Sequence, residues 1–309
     1  MKFAMVFPGQ GSQTVGMLDA WSDNQAAAHV LSQADLALGE DLSGLIANGP
    51  AEKLNLTTNT QPAMLTASLA MLAAWRAAGG PEATVMAGHS LGEYAALCAA
   101  GAIDLADAVR LVRIRADAMQ AAVPVGTGAM AAILGLEDDA VLAVCEQASQ
   151  GEIVEAVNFN APSQVVIAGH KAAVERAMEN AKAAGAKRAV LLPVSAPFHA
   201  SLLKPAAAVL ASALSEMTLK TPVIPVIHNV DVQMHDDPAS IAQALVDQAW
   251  HPVRWVQTIE AMAQQGVTHV VECGPGKVLS GMVKRIDASM TAISVSDPAS
   301  LEAAIDQLK

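Results

Sequence analysis

The sequence is poor in aromatic and in charged residues. Among its 309 residues, 3% are aromatic and 16% are charged, whereas 53% are hydrophobic. Charged residues usually make up about a quarter of a globular chain, and disordered chains contain more charge and fewer apolar residues. The composition therefore excludes a disordered protein. Because alanine supplies much of the apolar content, the composition also predicts a tightly packed, helix-rich core.

Positive charge is scarce as well. Lysine and arginine total 18 residues against 30 aspartates and glutamates, which gives a formal net charge of −12 at pH 7. A surface this acidic repels the phosphate backbone of DNA and RNA. We therefore expect no nucleic-acid partner.

Cysteine is rare and has no closely spaced pair. The three cysteines are widely separated and contain no Cys-x-x-Cys motif: Cys98, Cys145 and Cys273. This spacing predicts free thiols rather than disulfides or a zinc site. Because free thiols persist in a reducing compartment, the expected location is the cytoplasm.

Long hydrophobic runs are missing too. The longest apolar stretch, residues 63–75, is interrupted by hydroxyl side chains and is too short to cross a bilayer. The apolar residues at the N-terminus end at Pro8, which leaves too little length for a signal peptide. The sequence therefore predicts no membrane partner.

Short apolar strands alternate with longer helices in both outer parts of the chain. The clearest helix covers residues 61–78, and the predicted strands cover residues 3–7, 84–87, 223–230, 268–273 and 291–295. Such alternation is typical of α/β proteins in which helices cover both faces of a mostly parallel sheet. We expect residues 1–125 and 197–309 to form one large α/β domain.

The middle of the chain has a different order of elements. Predicted strands at 129–134, 153–157, 164–168 and 187–192 are separated by predicted helices at 138–149 and 172–184. The resulting order, β-α-β-β-α-β, is that of a ferredoxin-like unit. It predicts a small ferredoxin-like domain over residues 126–196, inserted into the large one, with a ligand site in the cleft between them.

Residues 88–92, Gly-His-Ser-Leu-Gly, match the G-x-S-x-G pattern of a nucleophile elbow. An apolar strand precedes the motif, and a helix-forming segment follows it. The glycines permit a sharp turn that exposes the Ser90 hydroxyl, and the helix N-terminus offers backbone N–H groups to an oxyanion. We interpret Ser90 as a nucleophile in an α/β-hydrolase-like domain. The alternative is an ordinary strand-to-helix turn with a capping serine.

A serine nucleophile needs a base, and the sequence contains eight histidines. His199 lies in residues 195–200, where the chain returns from the predicted insertion and where Pro193 and Pro197 stiffen the backbone. This setting favours His199 without deciding the choice. The other histidines lack a comparable setting: His29, His89, His170, His228, His235, His251 and His269.

One arginine is predicted to lie on the apolar face of a helix. The neighbours of Arg115 at spacings of three and four are all apolar: Leu111, Val112, Ala118 and Met119. A guanidinium stays charged and is costly to bury alone, so Arg115 needs an anionic partner. That partner is either a distant carboxylate of the protein or the carboxylate of a substrate.

Together, these motifs resemble those of bacterial malonyl-CoA:acyl carrier protein transacylases over the whole chain. The matching segments are residues 7–11 (FPGQG), 88–94 (GHSLGEY), Arg115, 157–160 (VNFN), 197–199 (PFH), Gln248, 251–255 (HPVRW) and 272–277 (ECGPGK). The family consists of serine–histidine acyltransferases with a ferredoxin-like insertion. Several motifs in order across the chain are far more specific than one elbow.

The resemblance implies a role for each matching residue. Ser90 would be the nucleophile and His199 the base, and Arg115 would bind the free carboxylate of malonate. The backbone N–H groups of Gln10 and Leu91 would form the oxyanion hole.

Three further residues are implied to act near the substrate. Gln248 would lie beside the histidine, and Phe198 and Asn158 would contact the substrate. Position 251 departs from the family, which commonly has Asn where this chain has His.

The implied reaction moves malonyl from malonyl-CoA to the phosphopantetheine thiol of acyl carrier protein, in fatty acid biosynthesis, without a metal or redox cofactor. Carrier proteins of this kind are acidic, so we expect a local basic patch on a monomeric enzyme. The candidate residues are Lys187, Arg188, Lys284 and Arg285. The alternative for all four is ordinary solvated surface charge.

Three other functions remain open at this point. A serine hydrolase, either an esterase or a thioesterase, would use the same elbow with water as the acceptor. A non-catalytic carrier-binding subunit would leave Ser90 and His199 idle. A stand-alone acyltransferase for polyketide synthesis would differ only in its carrier protein.

Overall fold

The computed structural model describes residues 2–194 and 196–309. Met1 lies outside the described residues, as does Ser195, the first residue of the predicted stiff segment 195–200. The described chain contains two β-sheets with helices packed around them. This arrangement confirms a mixed α/β fold with a mostly parallel sheet.

The larger sheet is parallel throughout and has the strand order β7-β2-β1-β8-β9. Its strands are β1 (Phe3–Phe7), β2 (Val85–Gly88), β7 (Val226–Ile227), β8 (His269–Cys273) and β9 (Thr291–Val295). The sequence predicted all five positions, but the prediction of a strand over 223–230 was too long. The chain turns back after Ile227, where the N–H of Val232 donates to the carbonyl of His228, so residues 228–230 do not pair in the sheet.

Both faces of the larger sheet are buried. Along β1, Phe3, Met5 and Phe7 join one hydrophobic cluster, whereas Ala4 and Val6 join another. Successive side chains of a strand point to opposite faces, so this division places one apolar layer on each side of the sheet. The near-continuous apolar sequence of β1 follows from burial on both faces.

The smaller sheet is antiparallel, with the order β4-β5-β3-β6. Its strands are β3 (Gly128–Leu134), β4 (Val154–Ala161), β5 (Gln164–His170) and β6 (Arg188–Leu191). The strand predicted over 153–157 runs four residues further, because β4 continues through two bulges and two asparagines that interrupt its apolar pattern.

Thirteen α-helices surround the two sheets in the described chain. They are α1 (Gln25–Leu38), α2 (Leu42–Asn48), α3 (Ala51–Leu54), α4 (Thr57–Ala77), α5 (Gly92–Ala99), α6 (Leu105–Ala122), α7 (Asp138–Ser149), α8 (Lys171–Ala183), α9 (Lys204–Ser215), α10 (Pro238–Gln248), α11 (Trp255–Gln264), α12 (Val278–Ile286) and α13 (Pro298–Leu308). Helix α4 begins one turn before the predicted residue 61. Of the helices described, none has the length and apolarity that a membrane crossing requires.

Parallel pairing brings several loops to one edge of the larger sheet. Phe7 of β1 pairs with Gly88 of β2, and β2 pairs on its other side with β7. The segments that follow these three strands therefore leave the sheet side by side. Parallel α/β sheets bind their ligands at this edge, beyond the carboxyl ends of the strands.

Two glycines allow the second of these loops to pack against the first. A Cβ atom on Gly92 would lie 2.0 Å from the carbonyl oxygen of Phe7, and one on Gly88 would lie 1.8 Å from the carbonyl carbon of Gly92. Both neighbours are backbone atoms, so neither clash can be relieved by rotating a side chain. Hence the start of α5 can touch the end of β1 only with glycine at both positions.

We expect the substitution Gly92→Ala to destabilise the protein by about 1–3 kcal/mol or more, the usual cost of overpacking a rigid site. The measurement is the free energy of unfolding in urea. Gly281→Ala in α12 is the matched control, because a Cβ there meets nothing within 4 Å. Alanine is the better helix former by about 1 kcal/mol, so the control variant should be slightly stabilised. Equal effects of the two substitutions would contradict the steric argument.

Candidate active site

Ser90 lies in the sharp turn between β2 and α5. Its φ of 53° is in the left-handed region, which a residue with a side chain rarely adopts. The turn directs the hydroxyl toward the chain that returns from the small sheet, where Ser90 Oγ lies 2.7 Å from Nε2 of His199. This is the hydrogen-bonding distance required between a nucleophile and its base.

His199 is also held in a left-handed conformation, with a φ of 66°. Its side chain is 3% exposed, and Nδ1 lies 2.8 Å from the main-chain oxygen of Gln248. Because that carbonyl can only accept, Nδ1 carries the proton and Nε2 presents a lone pair to Ser90. The backbone carbonyl of Gln248 therefore orients the imidazole, as a carboxylate does in a Ser-His-Asp triad.

The imidazole of His199 is neutral at physiological pH. Burial lowers the pKa of His199 to about 3, and the positive charge of Arg115 contributes to the lowering. Both causes disfavour the imidazolium form. His199 can therefore accept a proton from Ser90 across the whole neutral range.

Two backbone N–H groups near Ser90 are free to bind an oxyanion. Within residues 2–194 and 196–309, neither the N–H of Gln10 nor that of Leu91 donates to another residue. The N–H groups after Leu91 are occupied, because those of residues 92, 93 and 94 donate to the carbonyls of residues 89, 90 and 91. Gln10 follows β1 and Leu91 follows β2, so the strand pairing sets these donors on adjacent loops.

Arg115 lies in α6 and is buried beside the nucleophile. One terminal nitrogen, Nη1, donates to Oε1 of Gln61 at 2.7 Å. The other, Nη2, lies 3.1 Å from Ser90 Oγ and 3.0 Å from Oε1 of Gln248. All three partners are neutral, and no ion pair in the described part of the chain includes Arg115. Burial lowers the pKa of Arg115, which is the expected effect on a cation without a close anion.

Gln248, at the end of α10, contacts Ser90, His199, Arg115 and Glu93. Its side-chain nitrogen donates to the carbonyl of Ser90 at 2.9 Å and to Oε2 of Glu93 at 3.0 Å. Its side-chain oxygen accepts from Arg115, and its main-chain oxygen accepts from His199. The residue is completely buried, so these contacts fix the relative positions of the nucleophile, the base and the guanidinium.

The structure does not bring Asn158 to the polar centre of the site. Asn158 is buried in β4 and bridges to Val253, and no contact joins its side chain to Ser90, His199 or Arg115. The neighbouring Asn160 instead lies 2.7 Å from Nε2 of His89, the residue before the nucleophile. Asn158 therefore stays a prediction for substrate contact, and Asn160 is the asparagine of β4 that contacts the elbow. Phe198 packs into the main hydrophobic cluster, as Leu91 does.

Four residues at the site were missed by sequence reasoning: Gln61, Glu93, Asn160 and Asn229. Glu93 follows the elbow directly and is completely buried, which its carboxylate alone would not suggest. Asn229 follows β7 and accepts a hydrogen bond from the backbone N–H of Ser90 at 2.7 Å. Glu93 lies within the matching segment 88–94, whereas the only sequence signal for Asn229 is its position near the end of a predicted strand.

The predicted basic residues are all exposed, and two of them lie along one end of the smaller sheet. Arg188 pairs with Leu134, and Leu134 pairs with Gln164 on its other side. Arg285 of α12 donates to the carbonyl of Pro162 at 2.9 Å and also contacts the side chain of Gln164. Lys187 and Lys284 are their chain neighbours. The four residues therefore border one end of the sheet.

The site combines a serine–histidine pair, two free backbone donors and a buried cation at the edge of a parallel sheet. Enzymes that transfer acyl groups through a serine use such groups. The sequence from residue 4 to residue 299 matches the acyl transferase domain family. The chain therefore belongs to this family.

Similar proteins share one activity in their names. The malonyl CoA-acyl carrier protein transacylases of Escherichia coli K12 and Bacillus subtilis 168 are 54% and 46% identical to this chain. The alignments cover 99% and 100% of the chain and 99% and 98% of those proteins.

Two solved structures are similar to this chain in both sequence and fold. The acyl-carrier-protein S-malonyltransferase of Burkholderia pseudomallei 1710b is 61% identical, has a TM-score of 0.98 and is matched over 99% of this chain and 100% of its own. A malonyl-transacylase in complex with its type II polyketide synthase carrier protein is 49% identical, with a TM-score of 0.98 and the same coverage.

The low pKa of His199 predicts a flat pH profile for modification of Ser90. With a fluorophosphonate reagent, we expect the second-order rate constant to be constant between pH 8 and pH 5, and to fall only as the pH approaches 3. An ordinary histidine pKa of about 6.5 would instead lower the rate about 30-fold over that range. The measurement is the labelling rate, corrected for hydrolysis of the reagent.

Arg115→Gln provides the matched variant for this prediction. Removing the positive charge raises the pKa of His199, so the decline in labelling should begin at a higher pH than in the unmodified protein. A profile that falls near pH 6.5 in both proteins would contradict the proposed environment of His199.

Proposed function

We propose that this protein transfers the malonyl group from malonyl-CoA to the phosphopantetheine thiol of acyl carrier protein, in fatty acid synthesis. The observation that carries the proposal is a buried guanidinium 3.1 Å from the serine nucleophile, without a carboxylate partner among the described residues. A substrate whose acyl group ends in a carboxylate supplies the missing anion. The names of the relatives from Escherichia coli and Bacillus subtilis support this choice.

In the first half-reaction, Ser90 Oγ attacks the thioester carbonyl while His199 Nε2 takes the hydroxyl proton. The N–H groups of Gln10 and Leu91 bind the oxyanion of the tetrahedral intermediate. When the intermediate collapses, the carbon–sulfur bond breaks and the coenzyme A thiolate receives the proton from His199. A malonyl-serine ester remains, with its free carboxylate on Arg115.

In the second half-reaction, the carrier thiol replaces coenzyme A. His199 takes the thiol proton, and the sulfur attacks the ester carbonyl held in the same oxyanion hole. As the bond to Ser90 Oγ breaks, His199 returns the proton to the serine. Every proton and electron pair has a donor and an acceptor within the site, so we propose that the reaction needs no cofactor.

We infer that the fold divides into two domains. The order β4-β5-β3-β6 and the connection β-α-β-β-α-β support a ferredoxin-like domain over residues 126–196. A separate hydrophobic cluster between this sheet and helices α7 and α8 supports the same division. Residues 1–125 and 197–309 would then form the α/β-hydrolase-like domain, and the chemistry takes place where the two meet.

The location, the oligomeric state and the carrier protein are also part of the proposal. Three free cysteines are consistent with the reducing cytoplasm, and we propose a monomer. A 49% identical malonyl-transacylase has been solved in complex with a polyketide synthase carrier protein. A polyketide carrier is therefore the alternative partner. A hydrolase would have no use for Arg115, and a non-catalytic subunit would not need the short Ser90–His199 contact.

The direct test is intact-mass analysis after mixing with malonyl-CoA. We expect a single malonyl adduct in the unmodified protein and none in Ser90→Ala. Ser68→Ala is the matched control, because it removes a buried hydroxyl that has no partner in the described chain. Adding carrier protein should discharge the adduct onto the carrier. Rapid loss of malonyl to water without a carrier would favour the hydrolase, and an adduct on Ser90→Ala would exclude Ser90.

Arg115 is expected to select malonyl over acetyl. Leaving one member of a buried charge pair unpaired costs about 3–5 kcal/mol, or roughly two to four orders of magnitude in rate. Arg115→Ala should lose most malonyl transfer, and its ratio of acetyl to malonyl transfer should rise. Arg115→Lys should restore only part of the preference, because an ammonium cannot make the two-pronged contact.

The measurement is Ser90 acylation by malonyl-, methylmalonyl- and acetyl-CoA. We propose that Leu91 and Phe198 line the acyl pocket and limit its width, so methylmalonyl should be poor. Arg110→Ala is the control, because Arg110 lies in the same helix but is exposed and paired with Asp107. A malonyl preference that survives in Arg115→Ala would make the arginine purely structural.

Docking of the acidic carrier is expected to depend on the basic residues at the end of the smaller sheet. The double reversal Arg188→Glu/Arg285→Glu should raise the KM for carrier protein and leave acylation by malonyl-CoA unchanged. Lys220→Glu/Lys309→Glu is the control, because it changes the net charge equally at two exposed residues outside the patch. If the KM for carrier protein depends on salt concentration in the same way in the unmodified protein and in both double variants, the patch is excluded as a docking site.

A further inference from the structure

Asn229 holds the nucleophile elbow on both sides of its sharp turn. The side chain is completely buried, Oδ1 accepts from the N–H of Ser90 at 2.7 Å, and Nδ2 donates to the carbonyl of Gly88 at 2.7 Å. One amide group thus links the last residue of β2 to the nucleophile itself.

Glu93 fixes Asn229 in turn. Glu93 Oε2 accepts from the N–H of Asn229 at 2.9 Å and from the side chain of Gln248 at 3.0 Å. Its other oxygen, Oε1, lies 2.7 Å from Nδ1 of His228, which precedes Asn229. Glu93, His228 and Asn229 are completely buried, so the backbone after β7 has a defined position relative to the start of α5.

The elbow needs such a restraint. Residues with a side chain rarely adopt a left-handed backbone, and they remain there only when their surroundings enforce it. For Ser90, the hydrogen bond to Asn229 is the one that its backbone N–H makes. Relaxation of Ser90 would move Oγ away from His199.

The same hydrogen bond also organises the oxyanion hole. By taking the N–H of Ser90, Asn229 leaves the N–H of Leu91 as the open donor at the start of α5. A rotated elbow would offer a different set of donors to the substrate.

We propose that Asn229 is a positioning residue for acyl transfer: it holds Ser90 in the left-handed conformation that points Oγ at His199 and directs the N–H of Leu91 toward the oxyanion. This inference rests on the proposed role of Ser90 as the nucleophile. Asn229 acts on the reaction only through Ser90 and the turn that contains it.

The first test separates positioning from substrate binding. Asn229→Ala should slow acylation of Ser90 by malonyl-CoA about 100-fold, the scale of a misplaced reacting group. The dissociation constant for malonyl-CoA, compared between Ser90→Ala and Ser90→Ala/Asn229→Ala, should remain within about twofold, because Asn229 does not contact the substrate. Asn229→Asp keeps an oxygen for the N–H of Ser90, so it should acylate faster than Asn229→Ala.

Asn59→Ala is the matched control. Asn59 is another buried asparagine whose side chain donates to a backbone carbonyl, that of Lys53, away from the elbow. Its loss should lower stability and leave the acylation rate intact. An acylation rate in Asn229→Ala within threefold of the unmodified protein, or a rate loss matched by weaker malonyl-CoA binding, would overturn the proposal.

The second test measures the restraint itself in urea unfolding. Glycine adopts the left-handed conformation without cost, so Asn229→Ala should lower the unfolding midpoint less in a Ser90→Gly background than in the unmodified protein. Equal shifts would overturn the proposal. Failure of Asn229→Ala to fold in both backgrounds would do the same, because it would show that the whole fold, rather than the elbow, requires Asn229.

Failure of the proposed function is distinguishable from failure of this inference. If Ser90→Ala still forms the malonyl adduct, Ser90 is not the nucleophile and both statements are lost. If Ser90→Ala forms none while Asn229→Ala acylates at the normal rate, only the positioning role is wrong.

Discussion

The contact between the end of β1 and the start of α5 is the constraint on which the rest of the site depends. Gly92 lies so close to the carbonyl of Phe7 that no side chain fits between them. This approach sets the two loops that carry Gln10 and Leu91 against each other, next to the left-handed turn at Ser90. One packing contact therefore brings Ser90 and the two free backbone N–H groups to the same edge of the sheet.

The buried charges are separated by an amide rather than paired directly. Gln248 donates to Glu93 and accepts from Arg115, so its amide dipole lies between a carboxylate and a guanidinium. A direct ion pair would give Arg115 a carboxylate partner, which it lacks among the described residues. The amide stabilises both charges while the guanidinium stays available beside Ser90, and its positive charge helps to keep His199 neutral.

The smaller sheet contributes to the site through its contacts with the larger one. Glu155 of β4 accepts from both the N–H and the hydroxyl of Ser201, at 2.7 and 2.8 Å, two residues after His199. Asn160 of the same strand contacts His89, two residues further along than the predicted Asn158. One strand of the smaller sheet thus touches the neighbours of both the base and the nucleophile.

Local patterns in the sequence determined the order of the elements, the elbow and the unusual arginine. Strand and helix periodicity depends on nearby residues, and a G-x-S-x-G turn is recognisable because glycine is sterically required there. Spacing did not decide the choice of His199 among eight histidines. The resemblance to a known family implied it, and the structure places His199 Nε2 2.7 Å from Ser90 Oγ. Tertiary structure alone decided that His199 contacts the backbone carbonyl of Gln248, that Asn160 contacts His89, and that Asn229 joins the backbone of Ser90 to Glu93. These contacts join residues more than 40 positions apart in the sequence. Their geometry depends on strand pairing and bulges, so no local sequence pattern predicts them.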